Sequence, residues 1–130
     1  MKNLFLESTY KTPKIEFNAN TNLLILSGRS LPEDAKEFFY PIKNWLTDYF
    51  ETNTTKTTVL FRLNYYNTAS SKNILEILYI LKSALISRND INIIWEYEEF
   101  DEEIKESGED FAEIVDVPIT IKCIENAYID

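Results

Sequence analysis

A chain of 130 residues with 45% hydrophobic content is long enough for one domain with a proper core. Histidine is absent and the two glycines, Gly28 and Gly108, lie far apart. Together these remove Ser/His/Asp and Cys/His nucleophilic catalysis, the usual zinc sites and any glycine-rich phosphate loop. The net charge of −9 is concentrated: residues 96–116 hold eleven acidic residues and one lysine, a net of −10, so the rest of the chain sums to +1. No basic patch for nucleic acid or an anionic membrane is visible.

The start, MKNLFLEST, lacks the long apolar core of a signal peptide, and no apolar run is long enough to span a bilayer. A single cysteine, Cys123, excludes an internal disulfide and reads as a small buried hydrophobe in a strand. The expectation is a cytoplasmic protein forming a single domain over residues 1–130.

Residues 4–7 are a short strand candidate. Lys14-Ile15-Glu16-Phe17 alternates, Asn18 to Asn22 is rich in turn formers, and Leu23 to Ser27 alternates again, so 14–28 reads as a hairpin ended by Gly28. Ser30-Leu31-Pro32-Glu33 has the spacing of a capping box, with Ser30 at the N-cap. The helix after it carries Phe38, Ile42, Trp45, Leu46, Tyr49 and Phe50 on its buried side, and Pro41 is expected to kink or split it. Thr57 to Tyr66 is a central strand whose Val59, Phe61, Leu63 and Tyr65 share one face. Ile74, Ile77, Leu78, Leu81 and Leu85 then repeat at helical spacing.

Residues 87–90 form a loop before a strand over 91–97. Residues 98–107 are acidic and helical, with Phe100 and Ile104 inward and Gly108 as C-cap; a short helical turn around Phe111 and Ile114 follows. Pro118 to Ile124 is the last strand. Alternating strands and helices imply an α/β fold: a mixed sheet with an N-terminal antiparallel hairpin and helices packed on it.

The joint between central strand and helix, Asn67-Thr68-Ala69-Ser70-Ser71-Lys72, is the main candidate site. Its ordinary reading is a helix cap supplied by Thr68 or Ser70. The functional alternative is modification: a phosphoryl group on Thr68 would face unpaired N–H groups at the positive end of a helix, with Lys72 one turn in. Of the Tyr65-Tyr66 pair, one ring points inward and the other toward the joint. The acidic run reads first as a solvated face and second as a docking surface for a basic partner, with Glu98, Asp101 and Glu102 at its centre.

YYNTASSK, with GRSLPEDAKEFFYPIKNWL before it and WEYEEFDEEIKESGEDF after it, resembles the SiaC-type regulatory phosphoproteins, a bacterial family, over nearly the whole chain. The resemblance implies a STAS-like fold, similar to anti-sigma-factor antagonists. It places the phosphoacceptor at Thr68, framed by Tyr66, Asn67, Ser70, Ser71 and Lys72; Ala69 stands where the family commonly has Ser. It further implies a dedicated protein kinase, a metal-dependent PP2C-type phosphatase, and an unphosphorylated form that binds and activates a diguanylate cyclase, raising cyclic di-GMP and favouring biofilm. The expected protein is a non-enzymatic switch without cofactor, metal, nucleic acid or membrane partner. The alternatives are a Mg²⁺-dependent hydrolase using Asp101 and Glu102, and a structural subunit that oligomerises through its aromatic helix faces.

Overall fold

In the computed structural model, which describes residues 1–53, 55–87 and 90–125, six strands form one sheet in chain order. They are β1 (Leu4–Leu6), β2 (Lys14–Asn18), β3 (Leu23–Ser30), β4 (Thr57–Tyr66), β5 (Ile91–Glu98) and β6 (Thr120–Ile124). β1, β2 and β3 pair antiparallel; β3 to β6 are parallel. The parallel steps are bridged by α1 (Ala35–Thr52), α2 (Thr68–Ile86) and α3 (Glu102–Val115). Each crossover moves one strand in the same direction, so a common right hand puts all three helices on one face. One core cluster accordingly unites Ile15, Phe17, Leu24, Leu26, Val59, Phe61, Ile93 and Trp95 of the strands with side chains from every helix. The expected mixed sheet with an antiparallel hairpin is what forms.

Local chemistry explains the joints. Asn18 Oδ1 accepts the N–H groups of Asn20 and Thr21 at 2.9 and 3.1 Å, and Asn22 takes φ 59°, so the hairpin turns on residues that tolerate left-handed backbone. β3 does not stop at Gly28. That glycine, at φ 98°, precedes a register slip against β4 that leaves Asn64 unmatched, and pairing resumes as Arg29 with Tyr65 and Ser30 with Tyr66. The extra residue shifts the phase of β4. Tyr66, not Tyr65, therefore turns inward, with ring centroids 6.3 Å from Trp95 and 6.2 Å from Phe111.

The sequence reading is corrected in both flanking helices. The N-cap of α1 is Asp34, which accepts the Glu37 N–H at 3.0 Å. Ser30 instead ends β3 and is buried. Pro41 neither splits nor ends α1; it is exposed, so the Glu37 carbonyl it leaves unbonded can turn to water. Phe39 replaces Phe38 in the deepest layer, while Phe38 and Trp45 pack at its margin.

α3 starts at Glu102 rather than Glu98 and runs without a break to Val115, because Gly108 sits mid-helix and not at its end. The C-cap is Asp116 at φ 58°. Phe100 takes φ 75° and is 87% exposed rather than inward, and Ile114 is exposed as well. Cys123 is exposed on β6, which starts at Thr120 rather than Pro118. In the predicted loop at 87–90, residues 88 and 89 lie outside the described residues.

Gly108 is needed for close approach. A Cβ there would overlap the indole of Trp95, whose Nε1 donates to the Ile104 carbonyl at 2.8 Å. Gly108→Ala should therefore destabilise the protein by about 1–3 kcal/mol, against the roughly 1 kcal/mol that alanine gains in an open helix. Urea titration checks the sign; Trp95→Leu, by opening the space, should make the alanine markedly less costly.

Candidate functional site

β4 hands over to α2 through one residue. Asn67 is extended, at φ −90° and ψ 178°, and its Oδ1 accepts the Ser70 N–H at 2.9 Å. Its carbonyl accepts the Ser71 N–H at 2.9 Å. Asn67 is thus the cap, in place of Thr68 or Ser70. The N–H groups of Thr68 and Ala69, the first two of the helix, have no protein acceptor among the described residues.

Thr68 is exposed as the first residue of α2. Lys72 is also exposed, four residues on and so on the same face. Ser71 is half-buried. Ser70 is fully buried and turns away from solvent: its Oγ lies 2.7 Å from Ser30 Oγ and donates to the Ser30 carbonyl at 2.9 Å. The Ser30 carbonyl also accepts the Asn67 N–H at 3.1 Å. A second tie comes from α1, where Lys43 Nζ donates to Asn73 Oδ1 at 2.9 Å and to Glu76 at 2.7 Å, while Asn73 Nδ2 holds the Ala69 carbonyl at 2.9 Å. The exposed threonine therefore rides on a turn tied to both β3 and α1.

Tyr66 lines the joint from within. Burial pushes its phenol above the ordinary tyrosine value, offset in part by hydrogen bonding with Ser107. Beside it, residues 64–66 and residues 101–110 line a cleft of about 370 Å³ with Asp101, Glu103, Glu106 and Asp110 on its wall. On the outer side Tyr65 is exposed, and the Arg29 guanidinium carbon lies 5.8 Å from its ring centroid and 5.2 Å from that of Tyr10. Sequence reasoning missed Ser30 and Arg29. In the sequence Ser30 reads as part of a capping box and Arg29 carries no signal; only the bulge shows that they flank the joint.

The three acidic docking candidates have different roles. Glu102 is exposed at the first position of α3, and Glu98 is half-buried at the end of β5. Asp101 is structural as well as charged: it caps α3 by accepting the Ile104 N–H at 3.1 Å. Removing it therefore costs more than removing a charge on a merely solvated face would. Among the described residues no three His, Cys, Asp or Glu side chains are grouped so as to hold a metal ion.

The sequence and its six-stranded mixed sheet with three helices match a known class. The model of the SiaC family regulatory phosphoprotein covers residues 6–124, and the chain belongs to that family. An uncharacterized protein of Pseudomonas aeruginosa (strain UCBPP-PA14) is 28% identical over 122 residues, spanning 94% of this chain and 97% of the relative. The solved structure of SiaC of Pseudomonas aeruginosa has 27% sequence identity and a TM-score of 0.86, covering 95% of this chain and all of that one. A chain from the crystal structure of the diguanylate cyclase SiaD in complex with its activator SiaC, also of Pseudomonas aeruginosa, gives a TM-score of 0.88 at 27% identity, over 93% and 99% of the two chains.

The division of labour at the joint predicts unequal mutants. Asn67→Ala removes the cap and should cost about 1 kcal/mol, whereas Thr68→Ala removes no bond and should be close to neutral. Urea midpoints of the two variants, compared with the parent, check this; equal losses would place Thr68 in the cap.

Proposed function

We propose that this chain is a non-enzymatic switch, phosphorylated on Thr68, that exchanges partner proteins. The observation that carries the reading is the state of that hydroxyl. It is exposed on the first residue of a helix, next to two N–H groups without protein acceptors, while the turn beneath it is held by Asn67, Ser30 and Ser70. A phosphoryl group there adds about two negative charges and three acceptor oxygens at a helix N-terminus. It does so without breaking a bond the fold uses.

The proposed partners are a dedicated protein kinase, a PP2C-type phosphatase and a diguanylate cyclase, met in the cytoplasm. Support for the last is the similarity over nearly the full chain to SiaC, the activator of SiaD. In this scheme the unphosphorylated form activates the cyclase and phosphorylation releases it. No helix among the described residues is long and apolar enough to cross a membrane.

Incubation with the cognate kinase and ATP, followed by tandem mass spectrometry, should map a single phosphate to Thr68. A phosphate on Ser71 would keep the switch and move the residue; none on residues 67–72 would end the proposal. Thr68→Ala should bind the cyclase constitutively, and Thr68→Asp should weaken binding by about tenfold, roughly 1.4 kcal/mol.

The acidic end of β5 and the start of α3 are the proposed docking face for a basic partner surface. The triple change Glu98→Gln, Asp101→Asn, Glu102→Gln neutralises it while asparagine keeps the α3 cap. Stopped-flow association with kinase and effector should slow and lose its salt dependence. Unchanged rates from low to high salt would remove these residues from the interface.

A further inference from the structure

The proposed switch has a candidate reader inside the same chain. Arg29, near the end of β3, pairs with Tyr65, three residues before Thr68, and its guanidinium lies over the rings of both Tyr10 and Tyr65. Contact with two rings restrains the side chain and leaves its N–H groups for an anion, which a flexible surface arginine presents only at an entropic cost. No ion pair occupies that edge among the described residues, although the chain carries a net charge of −9. The very next residue, Ser30, receives the Asn67 N–H and the Ser70 hydroxyl. The backbone bearing Arg29 is thus bonded to the residue before Thr68 and to the residue two after it. An unpaired guanidinium is therefore carried on the strand end that is bonded to the chain on both sides of Thr68.

We infer that Arg29, clamped by Tyr10 and Tyr65, is the receptor for the phosphoryl group of phosphothreonine 68 in the same chain. The inference rests on the Thr68 reading. The phosphoryl would be held by the guanidinium edge from β3 and by the Thr68 and Ala69 N–H groups from α2. Charging the joint would then also draw Arg29, Tyr65 and Tyr10 into one anion-bound cluster. The surface offered to a partner would change from cationic and aromatic to net negative and occupied. The other charged or titratable groups around the joint are Lys72 on α2, Tyr65 and Tyr66 on β4, and Asp101, Glu103, Glu106 and Asp110 on α3.

Phosphothreonine placed at position 68 during translation tests the inference without a kinase, so its outcome is separate from that of the mapping experiment. ³¹P NMR titration reads the second pKa of the phosphate, about 6 for a free group. A neighbouring cation favours the dianion, so the value should lie lower in the parent. Arg29→Gln should raise it by roughly half a unit to one unit, with Arg29→Lys in between. Lys72→Gln should shift it less than Arg29→Gln, and Tyr10→Leu with Tyr65→Leu should reproduce part of the arginine effect by unclamping it. An unchanged titration in Arg29→Gln, with the variant folded by circular dichroism, would overturn the inference. So would an unchanged titration accompanied by weaker binding of the unphosphorylated protein to its effector, which would make Arg29 an interface residue for a partner's carboxylate.

Discussion

Ser30 is the node on which the joint depends. Its carbonyl accepts from Asn67 and Ser70, and its hydroxyl meets that of Ser70, all within the buried layer. Each bond is worth only about 1 kcal/mol net, but leaving any of these polar groups unpaired in the interior would cost more. The end of β3 and the first turn of α2 are therefore not free to separate. The arrangement rests in turn on the unmatched Asn64. Without that extra residue, Tyr65 would oppose Ser30, the aromatic packing on Trp95 and Phe111 would be lost, and the helix would start one residue out of place. A bulge usually marks where a strand must re-aim a side chain, and here it re-aims two tyrosines in opposite directions.

The acidic segment answers a second constraint. α3 carries Asp101 at its cap and Glu102 and Glu103 in its first turn, where the helix dipole favours negative charge. Its inward side is anchored by Ile104, Phe111 and Val115, with Gly108 admitting the Trp95 ring. Charge and packing thus lie on opposite sides of one helix, which explains how so acidic a stretch belongs to a stable fold. On the opposite face of the sheet the buried Glu96, 5% exposed, is paired with Arg62.

How far these features can be read in the sequence depends on the range of the physics involved. Alternation over 14–17 and 59–63 and the helical spacing of Ile74, Ile77, Leu78 and Leu81 are local patterns, and they give the sheet and α2 correctly. The errors arise where a distant contact overrides a local one. Ser30, Pro32 and Glu33 spell a capping box, yet Ser30 is held by Ser70, forty residues away, and Asp34 caps instead. Gly108 spells a helix end, yet the Trp95 indole gives it a reason to be mid-helix. Tyr65 and Tyr66 exchange faces because a register slip has no signature in a single strand. The joint itself was legible because Asn, Thr and Ser cluster there; its cap, and its neighbours Ser30 and Arg29, were not.

The proposed switch also sets a limit on how an effector could read it. Moving a two-state equilibrium from 1:99 to 99:1 takes about 5.5 kcal/mol of differential binding. Two added charges at the solvent-exposed Thr68, interacting with carboxylates about 4 Å away through water, supply roughly 1 kcal/mol each, less with salt. Repulsion at a distance therefore falls short. The remainder has to come from desolvation: an interface shaped around a neutral hydroxyl would have to take a charged phosphoryl group out of water, which costs several kcal/mol even with a cation beside it. A sharp response thus requires the effector to sit directly over Thr68. A partner touching only the acidic face would be tuned by phosphorylation, not switched by it.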